Sequence, residues 1–140
     1  MEEFTSEVQQ IPHDSQTIFN VLSDFSKLEK IKDKIPQDKI SNFSFDTDFC
    51  AFSISPIGKI KFVVVNREPN KTVKFAAEQL PFKTDLWIQL KEKDEQNTYV
   101  KLTLKSELNP FLKSMVSGPL QEALDKMVTI LATLPYDDLQ

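Results

Sequence analysis

Residues 109–135 read NPFLKSMVSGPLQEALDKMVTILATLP, and the spacing inside this stretch decides the fold. Leu112, Val116, Leu120, Leu124, Met127, Leu131 and Leu134 recur every three to four positions, the period that lines side chains along one stripe of an α-helix. Met115, Ala123, Val128 and Ile130 widen the stripe. A helix from Pro110 to Leu134, about 25 residues rising 1.5 Å each, is roughly 37 Å long. An apolar face of that length needs a broad partner, and the rest of the chain supplies one.

Upstream the period changes from 3.6 to 2 at Lys39 and stays there. Strands read at about Ile40–Phe45, Phe49–Ser55, Lys59–Glu68, Thr72–Gln79, Lys83–Lys91 and Thr98–Leu108. Turn residues separate them: Asp46-Thr47-Asp48, Ser55-Pro56-Ile57-Gly58, Pro69-Asn70, Leu80-Pro81 and Asp94-Glu95-Gln96-Asn97. Loops this short join only antiparallel neighbours. A further strand, Phe4–Ile11, opens the chain and stops at Pro12. Between it and the meander, Ile18, Val21, Leu22 and Phe25, then Leu28, Ile31 and Ile35, predict two short amphipathic helices. Asp14 is suited to cap the first and Ser23 or Asp24 the second, and Pro36 ends the pair. Seven strands at about 4.8 Å spacing span roughly 29 Å, so one terminal helix can cross the whole sheet. The expected fold is α+β, one domain over residues 1–140, with a seven-stranded antiparallel sheet curved around the long C-terminal helix.

Charge tests the register. A two-residue turn at Pro69-Asn70 sets Val64 against Phe75 and Phe62 against Ala77, with Lys61 facing Glu78 on the other side. Opposing Leu86–Leu104, Ile88–Leu102 and Leu90–Val100 in the last two strands makes Asp85–Lys105 and Lys83–Glu107 neighbours of opposite sign. Such pairs are worth only about 0.2–1 kcal/mol each, but a one-residue slip would invert every face. The inner face is then Ile60, Phe62, Val64, Val73, Phe75, Ala77, Leu86, Ile88, Leu90, Val100, Leu102 and Leu104. Trp87, Tyr99, Val63 and Val65 fall outside, an aromatic and β-branched surface on which a homodimer or other protein contact could form.

Composition narrows the function. Eleven Phe against two Tyr and one Trp make a chain rich in apolar lining without polar handles. A net charge of −4 opposes binding to nucleic-acid phosphate. Cys50 is the lone cysteine, so no internal disulfide forms, and no His/Cys cluster has zinc spacing. The N-terminal residues Met1-Glu2-Glu3-Phe4 lack the pattern of a signal peptide, and no run reaches roughly 18 apolar residues. The expected location is the cytoplasm.

No catalytic constellation is visible: no paired carboxylates, no phosphate-cradling glycines, no metal ligands. His13, the single histidine, sits at a strand-to-helix turn and reads as a solvated cap residue, and Cys50 as a small buried hydrophobe. Lys27, Lys30 and Lys34 form a basic run partly cancelled by Glu29, Asp33 and Asp38, which reads as a solvated face rather than a headgroup site. Gly118-Pro119 interrupts the terminal helix, either as a hinge at a cavity mouth or, the favoured reading, as a bend following the sheet. Ser117 is suited to cap a second portion if the helix splits.

The segment Ile11-Pro12-His13-Asp14-Ser15-Gln16-Thr17-Ile18-Phe19-Asn20-Val21-Leu22-Ser23-Asp24-Phe25, together with the closing helix Asn109–Pro135 and the element order, resembles the START-like helix-grip superfamily (SRPBCC), which includes polyketide cyclase-like proteins. The resemblance implies a sheet gripping the C-terminal helix around a cavity. Aspartates and a threonine stand where the plant allergens carry a glycine-rich loop. No counterpart of the cyclases' catalytic polar sets is present, nor the aromatic run of the quinone-binding branch.

The expected function is therefore the binding of a hydrophobic small molecule or lipid, without a cofactor or metal. Candidate lining residues are Phe62, Val64, Phe75, Leu86, Ile88, Leu90, Val100, Leu102, Leu104, Met115, Leu120, Leu124 and Met127. Asn66, Thr84 and Ser106 are the candidate polar groups, with Ser6 and Thr98 also at strand ends. The alternatives are a cyclase- or hydratase-type enzyme, or a protein-interaction module with a filled interior.

Overall fold

A computed structural model describes residues 1–37, 40–78, 80 and 82–139. The sequence expectations that touch Asp38, Lys39, Gln79 and Pro81 lie outside these residues. In chain order the elements are β1 (Glu2–Thr5), β2 (Gln9–Ile11), α1 (Ser15–Leu22), a 3₁₀ helix (Phe25–Lys34), β3 (Ile40–Asp46), β4 (Phe49–Ile54), β5 (Gly58–Glu68), β6 (Thr72–Glu78), β7 (Thr84–Asp94), β8 (Asn97–Ser106), α2 (Pro110–Thr133) and a short 3₁₀ turn (Tyr136–Asp138). The sheet is antiparallel, ordered β1-β8-β7-β6-β5-β4-β3, with β2 also beside β8.

The expected seven strands are eight among the described residues, because the first one breaks at Ser6. There the Ser6 N–H donates to the Leu102 carbonyl at 2.8 Å, and the Ser6 hydroxyl oxygen accepts from the Leu102 N–H at 2.8 Å. A side chain takes one place in the ladder, so β1 and β2 are two short runs against the same partner. The freed Glu7 N–H donates to Asp125 Oδ1 at 2.8 Å, and Gln121 Nε2 donates to the Thr5 carbonyl at 2.9 Å. The break is thus the point at which the edge of the sheet is fastened to α2.

The second predicted helix is a 3₁₀ helix. Phe25, Leu28 and Ile31 are spaced by three, which a helix of three residues per turn places on a single face; Phe25 and Leu28 are buried. Asp14 caps α1 and Asp24 caps the 3₁₀ helix, each accepting from a backbone N–H two or three residues on.

The registers agree with the pairing of charges. Val64 opposes Phe75, Phe62 opposes Ala77 and Lys61 opposes Glu78. Leu86–Leu104, Ile88–Leu102, Leu90–Val100 and Asp85–Lys105 pair in β7 and β8. At the Pro69-Asn70 turn the Lys71 N–H donates to the Glu68 carbonyl at 3.0 Å, with Asn70 at φ 61°.

Two bulges redirect side chains. In β5 the pairing skips Val65, so Asn66 opposes Lys74 and is exposed, not in the interior. A bulge leaves one residue unpaired and reverses the parity after it. Arg67 comes back into register with Val73; its guanidinium donates to the carbonyls of Ser23 and Thr47 and pairs with Asp48 at 2.7 Å. In β3 the register shifts between Ser41 and Ser44, with Asn42 at φ 56°. Ile40 and Phe45 consequently both face inward, opposite Ile54 and Cys50.

The terminal helix is continuous through Pro119, and Ser117 caps no second helix; its hydroxyl donates to the Lys113 carbonyl. The two halves differ sharply in burial. Leu120, Ala123, Leu124 and Val128 are buried, whereas Phe111 is 72% and Met115 56% exposed. Met115 therefore lines no interior: Lys113 pairs with Glu2 at 3.3 Å and leaves Phe111 and Met115 facing solvent.

Candidate functional site

Between the sheet and the half of α2 after Pro119 lies a cavity of about 70 Å³ lined wholly by apolar side chains and the Cys50 thiol. Phe75, Leu86, Ile88 and Leu102 form its floor, and Met127, Ile130, Leu131 and Leu134 its roof. Its far wall is aromatic. Phe25 stacks on Phe75 at 5.4 Å between ring centres, Phe43 on Phe45 at 5.8 Å, and Phe52 meets Phe62 at 5.8 Å. These contacts let the phenylalanines fill most of the volume that the layer spacing creates.

Beside it lies a smaller void of about 10 Å³, lined by Ile54, Ile60, Phe62, Leu104, Leu120 and Leu124, with Thr84 at its edge. Thr84 and Ser106 are buried, and their hydroxyl oxygens lie 2.7 Å apart. One donates to the other, and the Thr84 hydroxyl also lies 3.4 Å from the Phe82 carbonyl, to which it can donate.

The larger cavity adjoins a surface groove where the 3₁₀ helix and α2 both end. Ile35, Ile130 and Leu134 line both; the groove, of about 270 Å³, adds Ile31, Lys34, Pro36, Thr133 and Pro135. A wider groove of about 620 Å³ continues past Ile130 and Pro36 toward Glu7, Glu122, Asp125 and Lys126. Lys34, one of the run read as a solvated face, thus stands at the mouth of the interior.

Of the apolar candidates, Phe75, Leu86, Ile88, Leu102 and Met127 line the main cavity, and Phe62, Leu104, Leu120 and Leu124 the smaller void. Val64, Leu90 and Val100 belong to the packed core instead. Among the polar candidates Thr84 and Ser106 are buried, as are Ser6 and Thr98, and Thr84 alone of these borders a void. The candidate list left out Phe43 and Phe45, which follow the β3 bulge and line the cavity. It also left out Phe25, Leu28 and Ile35, which reach the site from the short helix.

Electrostatically the interior is inert. Burial pushes the Cys50 thiol up to about 12, so it stays protonated at neutral pH and has no thiolate character. Burial likewise raises Tyr136, whose hydroxyl donates to the Leu131 carbonyl at 2.6 Å and fixes the end of α2. His13 lies outside the cavity, its ring 5.4 Å from Tyr136 and Nδ1 3.7 Å from Asp137. Among the described residues no group of three or more His, Cys, Asp or Glu side chains is placed to hold a metal, and no helix is long and apolar enough to cross a membrane.

On the outer face, lysines cover the aromatic rings. Lys61 lies over Phe49 at 4.4 Å, Lys74 and Lys105 flank Trp87 at 5.2 and 5.5 Å, and Lys93 is 5.9 Å from Tyr99.

No protein-family model matches the chain, and no curated protein matches it. Solved structures are similar over nearly its whole length. A START superfamily protein from Mycobacterium smegmatis is 15% identical, covers 93% of this chain and 94% of its own, and superposes with a TM-score of 0.67. Norcoclaurine synthase from Thalictrum flavum, solved in complex with dopamine and hydroxybenzaldehyde, is also 15% identical, with 97% and 87% covered and a TM-score of 0.67. A solution structure from Thermobifida fusca is 12% identical and covers 100% of this chain and 96% of its own, with a TM-score of 0.65. What these proteins share with the present chain is the layered sheet and gripped helix, and this chain has the START-like helix-grip fold.

Proposed function

We propose that the protein binds a small amphiphile, with its apolar tail in the cavity beneath α2 and its polar end in the groove at the mouth. The observation that carries this reading is that a wholly apolar interior and a surface groove lie against the same three side chains, Ile35, Ile130 and Leu134. The interior alone, at about 70 Å³, is less than half the roughly 150 Å³ known to admit benzene in an engineered core. Cavity and groove together fall at the lower end of the ~300–1,000 Å³ usual for ligand sites. A short alkyl tail fits that shape better than a bulky ring system.

The enzymatic alternative finds no support in the interior. General acid–base chemistry needs a titratable group within reach of the reacting atom, and here the polar groups are a mutually bonded hydroxyl pair and a protonated thiol. The small cavity volume favours the other alternative, a filled core with the outer face as a contact. The lysines over Phe49, Trp87 and Tyr99 weigh against an apolar docking face there.

Calorimetric titration with hexanol tests the proposal. Wild type should bind at a single site. Leu102→Phe, which adds bulk to the cavity floor, should lose that binding while remaining folded by circular dichroism. Equal affinity in a folded Leu102→Phe would overturn the placement of the tail.

A further inference from the structure

The main cavity and the smaller void beside it share one lining side chain among the described residues, that of Met127. The other lining residues divide cleanly. Toward the first chamber stand Phe75, Leu86 and Leu102; toward the second stand Phe62, Leu104 and Leu124. Since Leu86 pairs with Leu104 across β7 and β8, the two floors adjoin; Phe52 and Phe62, 5.8 Å apart, stand between the spaces on the sheet side and Met127 on the helix side. Met127 is half-buried, one turn from the mouth residue Ile130 on the same helix. Methionine is unbranched, with three rotatable bonds and a polarizable sulfur, so it can change rotamer without moving the backbone.

We propose that Met127 is a movable partition dividing the apolar interior into two chambers, and that it thereby sets the length of unbranched chain the interior admits. This rests on the reading that an apolar tail enters the cavity. A tail coming from the Ile35–Ile130 mouth meets Met127 at the back of the first chamber. If the side chain swings aside, the tail continues over Leu104 toward Thr84, which borders the second void and whose hydroxyl is hydrogen-bonded with that of Ser106. The selected ligand class is a straight saturated chain; branching would clash with the narrow passage between helix and sheet.

The test is a series of straight-chain primary alcohols from butanol to decanol, titrated into wild type, Met127→Ala and Met127→Leu. Each methylene accommodated in an apolar site raises affinity by about fourfold. In wild type the rise should break at the length that reaches Met127. In Met127→Ala it should continue through further methylenes. Met127→Leu keeps the volume but stiffens the side chain, so its break should be at the wild-type length and deeper. The same break in Met127→Ala as in wild type would overturn the partition. Xenon-pressurised crystals give a readout that needs no amphiphile. Met127→Ala should show xenon density extending past residue 127 toward Leu104, whereas density confined to the first chamber, as expected in wild type, would contradict the proposal. If no alcohol binds wild type, the tail-binding function fails, and the xenon experiment still decides whether Met127 divides the interior.

Discussion

The two halves of α2 carry the same apolar spacing and end in different surroundings. Before Pro119, Phe111 and Met115 face solvent, and Leu112 and Val116 are half-buried. After it, Leu120, Leu124 and Val128 are buried, and Met127, Ile130 and Leu131 roof the cavity. The difference comes from what holds each half. The second is fastened to the broken edge strand by Gln121 and Asp125 and at its end by Tyr136, whereas the first is tied to β1 by an exposed Lys113–Glu2 pair. Exposed pairs of that kind contribute little. Amphipathic spacing shows which side of a helix is apolar; whether that side finds a partner depends on the anchors.

This contrast can be broken by mutation. Leu124→Ala, at a fully buried position, should cost about 2–5 kcal/mol in denaturant melts; a loss under half of the lower figure would mean that the second half is not the packed one. Pro119→Ala restores the N–H that the Met115 carbonyl lacks and should stabilise by about 1–2 kcal/mol, the helix gain being offset partly by a freer unfolded chain. Thermal unfolding reads it directly, and a net destabilisation would show that the bend itself is required for α2 to sit on the sheet. Met115→Ser should shift stability by no more than about 0.5 kcal/mol. A cost near that of Leu124→Ala would place the first half against a partner.

Much of the fold was legible because two independent patterns agreed. Apolar alternation and opposite charges select the same register for β5–β6 and β7–β8, so parity there is over-determined. It failed where one residue was inserted. The run Phe62-Val63-Val64-Val65 already departs from alternation, and that irregularity was the available sign of the bulge that turns Asn66 outward and brings Arg67 back. Asn42, a residue tolerant of positive φ, was the corresponding sign in β3, where the bulge delivers Phe43 and Phe45 to the site. The cavity volume was not legible. It depends on how closely the phenylalanine rings stack, a property of rotamers that residue identity does not fix.

The most direct test of the central claim is a methyl-resolved NMR titration of the wild-type protein with hexanol, following both halves of α2 and the sheet floor at once. Saturable shifts confined to Ile88, Leu102, Ile130, Leu131 and Leu134, with the Met115 methyl unmoved, are the predicted result. Saturable shifts centred on Leu112 and Met115, or none at the cavity residues, would contradict a binding site beneath the second half of α2.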